Sequence, residues 1–143
     1  MIKKFYVEDK PKVLIVGLIT PQNIHIDSDE YIDEFKKLVE SNDIESDSEY
    51  FSKLREIDAG TFVTKGKLED IKKICVENNI DHVVFSEQLS PHQEMMLQKV
   101  LNAKVFDRIA LIIDIFEKRA RSAEAKLQVK IAYLEHKKTR VSG

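Results

Sequence analysis

One cysteine (Cys75), no tryptophan, three prolines and four glycines are spread over 143 residues. A lone cysteine excludes an internal disulfide framework and a cysteine-based zinc cluster, so the fold must rest on an apolar core. A chain of this length can build one, burying roughly 68% of the surface that its unfolded form exposes. No apolar run approaches the roughly 20 residues of a bilayer-spanning helix, and no charged-then-apolar leader is read near Met1. A soluble, reducing, cytoplasmic setting without membrane contact is therefore expected. An excess of one charge is missing too: Lys and Arg number 23 against 25 Asp and Glu, a net of −2. That argues against a surface coated in nucleic acid, but the average conceals a gradient. Residues 1–116 carry 15 basic and 22 acidic side chains, whereas residues 117–143 carry 8 and 3. The carboxyl-terminal segment is positive and the remainder negative.

What is present alternates between two periods. Lys12–Ile19 (KVLIVGLI) is a β-branched apolar run too short for a buried helix, which predicts a central strand covered on both faces. Asp27 offers an N-cap with Glu30 at the capping-box position, and Ile32, Phe35, Leu38 and Val39 recur at helical spacing as far as Ser41. Ile44–Lys53, apolar only at Ile44, Tyr50 and Phe51, predicts a weak edge strand. Leu68, Ile71, Ile74 and Cys75 predict a helix starting just after Gly66 and ending near Asn78, and Asp81–Ser86 (DHVVFS) predicts a strand. At the next helix start Ser90 caps, Pro91 takes the first helical position and Gln93 completes the box, with the helix running to about Leu101. Lys104–Phe106 predicts a short strand.

From Asp107 the pattern is helical, with no Gly or Pro before Gly143. Ile112, Phe116, Ala120, Ala123, Leu127, Ile131 and Leu134 lay one apolar stripe along this expected single helix. Some 30 residues of it would project ~45 Å, more than a small sheet can cover. The expected fold class is α/β: a small parallel sheet with helices on its faces over residues 1–107, then a long projecting helix over residues 108–143. Its exposed stripe would draw in another helix, a second copy of the chain among the candidates.

No enzyme motif emerges. Gly60–Leu68 (GTFVTKGKL) has five residues between its glycines where a phosphate-binding loop has four, and Leu68 stands where Ser or Thr would ligate magnesium. Two readings of that segment stay open: an anion site at Lys65, Gly66 and Lys67 on a helix N-terminus, or a simple turn at Gly66 with solvated lysines. His25, His82, His92 and His136 show no metal-ligand spacing, and Cys75 on an apolar helix face reads as a buried inert thiol. Asp107 reads as an N-cap and Asp114 as a partner for a nearby base; no nucleophile, base and orienter combine. The basic cluster Lys118, Arg119, Arg121, Lys126, Lys130, Lys137, Lys138 and Arg140 is the exception to this quiet picture. A charge run is often only a solvated face, yet this one rides on the helix that leaves the globule, which suits contact with a phosphate backbone.

Val105–Leu134 (VFDRIALIIDIFEKRARSAEAKLQVKIAYL) resembles the conserved segment of HflX-type GTPases, with Asp107, Arg108, Asp114, Phe116, Arg119, Arg121, Glu124, Lys126 and Gln128 on its pattern. Thr61–Leu68 (TFVTKGKL) resembles that family's T-Y-I-G-K-G-K-L block, and Leu89-Ser90-Pro91 with Gln93 its L-S-P-x-Q block. The sequence departs at Thr64, where the family has glycine, at Met95 and Met96 in place of Arg-Asn, and at Ala123 and Ala125 in place of His and Gly. The resemblance implies the N-terminal domain of a longer GTP-binding protein, with residues 108–143 the first half of a helical hairpin. It also implies GTP and magnesium bound by the parent's own GTPase domain, which would be a neighbour of this one, with no cofactor in this piece. The large ribosomal subunit and its rRNA are the implied partner, with Arg119, Arg121, Lys126 and Lys130 chosen as the contacts. The family's N-terminal domain is also linked to adenine nucleotides, for which no motif is recognisable here. The chain alone is expected neither to bind nor to hydrolyse GTP with a competent site.

Overall fold

A computed structural model describes residues 10–142, the side chains as far as Lys138. Its elements run β1 (Val13–Ile19), α1 (Ser28–Ser41), β2 (Ser48–Lys53), α2 (Lys65–Glu77), β3 (His82–Phe85), α3 (Pro91–Leu101), β4 (Lys104–Phe106), α4 (Arg108–Arg119) and α5 (Ala123–Ser142). The four strands form one parallel sheet in the order β2-β1-β3-β4. The α/β class with a small parallel sheet and a long final helix is thus as expected, and β1 is buried along its whole length.

Side-chain alternation sorts the core into two layers. Leu14, Val16, Leu18, Val83, Phe85 and Val105 face α2 and α3 through Ile71, Cys75, Leu97 and Leu101. Val13, Ile15, Val84 and Phe106 face α1 and α4 through Phe35, Val39, Ala110 and Leu111. The chain moves one way from β1 to β2 and the other way from β2 to β3, so right-handed crossovers place α1 and α2 on opposite faces. Gly17 is the close-approach point of this packing. A Cβ there would meet the Phe51 ring at 2.6 Å and the Ile32 methyl at 2.8 Å.

The caps follow the sequence closely. Asp27 accepts from the Glu30 amide at 3.1 Å, and Ser90 and Gln93 form the reciprocal box at 3.0 and 2.9 Å. Two expectations need correction. Gly66 does not precede α2: the helix begins at Lys65 and Gly66 lies in its first turn, with no positive φ. The second concerns residues 108–143, read as one projecting helix. The helix stops at Arg119, Ala120 turns extended (φ −67°, ψ 124°), and α5 begins at Ala123. The reason lies in Ser122, whose Oγ accepts from the Ala125 amide at 3.0 Å and so starts a new helix without help from Gly or Pro. α5 then packs against α3 and α4. Its inner side is Ala125, Val129, Tyr133 and His136, each half-buried, while Leu127, Ile131 and Leu134 remain 42–56% exposed.

Asp107 ties these parts together. Buried at 1% exposure, it caps α4 by accepting from the Ala110 amide at 3.1 Å. Its other oxygen accepts from the Leu89 amide at 3.0 Å, fixing the loop that leads into α3. Replacing it by Ala removes a cap and a second charge-assisted bond and strands a buried N–H, so Asp107→Ala should lose about 2–4 kcal/mol of stability in denaturant unfolding. A loss below about 1 kcal/mol, the scale of a single ordinary hydrogen bond, would show that the node is dispensable.

Candidate functional site

In an open parallel sheet the carboxyl edge at the point where strand order reverses is the usual place for chemistry. Here that point lies between β1 and β3, where Thr20, Asn23, Ser86 and Glu87 follow the strands. Glu87 collects three donors: the Tyr31 hydroxyl, Asn23 Nδ2 at 3.1 Å and Ser86 Oγ at 2.9 Å. Ser86 Oγ in turn accepts from the Leu18 amide at 2.9 Å, and Asn23 Oδ1 accepts from the Thr20 amide at 2.8 Å. Arg108 closes the cluster, donating through Nη2 to both Glu34 oxygens at 2.6 and 2.7 Å and lying over the Tyr31 ring at 5.4 Å. Burial and the neighbouring Glu87 carboxylate push the Tyr31 phenol up to about 12. These groups hold one another. The arrangement pins the β1–α1 loop to the start of α4 and presents no nucleophile with a base.

The family-like blocks are joined by side-chain bonds. Gln93 Nε2 donates to the Asp58 carbonyl at 2.8 Å, coupling the capping box of α3 to the loop before Thr61. In that loop Asp58 Oδ1 accepts from the Gly60 and Thr61 amides at 2.7 and 2.9 Å, and those two bonds hold its carboxyl below the usual range. Phe62, buried and bridged to Asp58, adopts a φ of 67°, a region bulky residues rarely enter. Thr61–Thr64 is therefore a structural turn that leads into the first turn of α2.

The residues singled out from sequence fall into two places. Lys65 and Gly66 are exposed at the start of α2, whose N-cap Thr64 makes no side-chain cap bond. Lys67 instead turns toward β2, its Nζ donating to Ser52 Oγ at 2.7 Å. Arg119 ends α4, Arg121 sits in the break, and Lys126 and Lys130 stand four residues apart along α5, all four exposed. Among the described residues none of these four makes an ion pair. Lys118 leaves the basic face: its Nζ bridges Asp114 at 3.2 Å and the Asn42 carbonyl at 3.1 Å, pinning α4 to the end of α1. Asp114 thus pairs as expected. Sequence reading passed over Asn23 and Glu87, although their positions just after β1 and β3 mark them, and Tyr31, which lies in the first turns of α1. It also found no metal-ligand spacing around His136, whose Nε2 α5 brings to 3.9 Å from Asp107 Oδ1. No helix among the described residues is long and apolar enough to cross a membrane.

A four-stranded, doubly wound parallel domain continued by two helices, its sheet edge locked and its net positive charge on the helical extension, is the class that these features define. Residues 29–117 match the family described as GTP-binding GTPase N-terminal, and the chain belongs to that family. The GTPase HflX of Flavobacterium psychrophilum is 33% identical over 132 residues, which is 92% of this chain and 32% of that protein. That of Escherichia coli is 37% identical over 112 residues, 78% of this chain and 26% of its own length. Among solved structures, one titled as SsGBP in complex with GDP superposes with a TM-score of 0.68 at 26% identity, over 92% of this chain and 36% of that one. The chain spans about a third of the length of the curated relatives it matches first.

The Tyr31–Glu87 lock has a pH signature. A phenol raised in the fold from its ordinary 10.0 to about 12 contributes stability that is complete below pH 10 and lost as pH climbs through about 12. Tyr31→Phe should therefore cost about 1–2 kcal/mol at neutral pH, the worth of a bond to a charged acceptor. The wild-type advantage should fade above pH 10. Denaturant unfolding of both proteins across this range checks it; identical alkaline responses would show that Tyr31 is not held by Glu87.

Proposed function

We propose that this chain is a non-catalytic N-terminal domain of an HflX-type GTP-binding protein and gives it part of its grip on the large ribosomal subunit. GTP and magnesium then belong to the parent's GTPase domain, and this domain's own work is recognition of rRNA. One observation carries the reading: the helical break at Ala120–Ser122 leaves Arg119 and Arg121 exposed beside the turn, followed by Lys126 and Lys130 along α5. The acidic remainder of the chain sharpens this polarity. A pocketed anion at Lys65, Gly66 and Lys67 is the weaker reading, because Lys67 is engaged by Ser52 and Gly66 opens to empty space.

Leu127, Ile131 and Leu134 extend along the outer side of α5, and Phe116 of α4 is 59% exposed. In the hairpin that the resemblance implies, a second helix covers this stripe. In the isolated chain a second copy takes its place. Light scattering should then show a dimer that Leu127→Asp with Ile131→Asp returns to monomer, whereas a monomer at every concentration would contradict this.

Each phosphate neutralised by the basic turn releases condensed counterions. With about four contacts, affinity for large subunits should fall with a log-log salt slope of roughly −3 to −4. Charge reversal at Arg119, Arg121, Lys126 and Lys130 should flatten the slope in co-sedimentation at several salt concentrations. Lys65→Glu with Lys67→Glu should leave it unchanged. The opposite pattern, binding abolished by the Lys65 and Lys67 changes alone, would move the recognition face to the start of α2.

A further inference from the structure

The fold of α5 onto the body assembles a group of side chains that the sequence keeps far apart. Glu94 of α3, Asp107 before α4 and His136 of α5 place a carboxylate oxygen each and an imidazole nitrogen within 4.8 Å of one another. They line a cavity of 340 Å³ between α3, β4 and α5, together with Gln98, Tyr133 and Lys137. We propose that this cluster is a divalent transition-metal site, of the zinc class, which clips α5 to the α/β body.

The donor set selects the ion. One imidazole and two carboxylates suit zinc and its neighbours in the first transition row, whereas magnesium and calcium favour all-oxygen shells. Three protein ligands leave a coordination position for water, and the cavity has room for it. Asp107 is already oriented as a ligating carboxylate usually is, since its oxygens accept from the Leu89 and Ala110 amides at 3.0 and 3.1 Å. Bonds of about 2.0–2.2 Å to zinc require the ligand atoms to close to roughly 3.5 Å, a contraction that Glu94 and His136 can make because both are only half-buried. Lys104 and Lys137 on the cavity wall and the amide end of α4 oppose a cation. The two carboxylates answer them, so the site binds more weakly than an all-anionic cage.

The test uses the chain stripped of metal and titrated with zinc sulfate. Calorimetry should find one ion per chain, and the thermal midpoint should rise with zinc concentration, as binding to the folded state alone demands. Magnesium chloride should produce neither effect. His136→Gln and Glu94→Gln should each weaken zinc binding by more than about 10-fold, the lower bound for losing even an outer-shell partner. His92→Gln, an exposed histidine on the same helix as Glu94, should leave it intact. Should either ligand variant fold poorly, the ring signals of the four histidines in the unaltered chain decide instead, with those of His136 moving first. An absent isotherm, binding unaffected by the His136 and Glu94 changes, an equal response to magnesium, or first movement at another histidine would each overturn the site.

Discussion

The pair of hydrogen bonds accepted by Asp107 is the constraint on which the rest of this fold turns. A buried carboxylate is costly unless its oxygens are satisfied, and here each is met by a backbone amide from a different segment. One bond starts α4 at the edge of β4; the other fixes the loop that carries Leu89, Ser90 and Pro91 into α3. From there Gln93 reaches the Asp58 carbonyl, and Arg108, next in sequence, reaches Ser86 and Glu34. Three connections of the fold and helix α1 are thereby placed relative to one another by polar side chains rather than by apolar packing alone.

That division of labour bears on function. The sheet edge, where many parallel α/β proteins hold a ligand, is filled here by Tyr31, Glu87, Asn23 and Ser86 bonding to one another. The body therefore behaves as a rigid base. What it carries outward is the α4–α5 turn, with Arg119 and Arg121 beside it and the apolar stripe of α5 along its flank. Such a base fixes the direction of a charged, partly apolar extension, which is what the proposed recognition role requires.

Much of this was legible in the sequence because the signals were local. The β1 run, the Ser90–Pro91–Gln93 helix start and the Lys104–Phe106 strand each encode their own conformation, and the structure places them as read. The end of α4 was not legible. A serine is a common helix residue as well as a cap, and nothing near Ser122 distinguishes the two roles until Ala120 turns extended. The Glu87 and Asp107 networks join residues 56–74 positions apart or loops either side of a helix, and pairings of that kind carry no periodic signature. Lys118 shows the same limit from the other side: composition made it one of a basic run, and the fold turns it inward to Asp114.

The central claim, that the basic turn between α4 and α5 is the part of this domain that meets rRNA, is tested most directly by proximity. A photoreactive amino acid placed at Arg121, and in a separate preparation at Lys65, would be irradiated in the presence of purified large ribosomal subunits and the cross-linked rRNA mapped. The account predicts a discrete rRNA cross-link from position 121 and none from position 65. Cross-linking from position 65 with silence at 121 would contradict it.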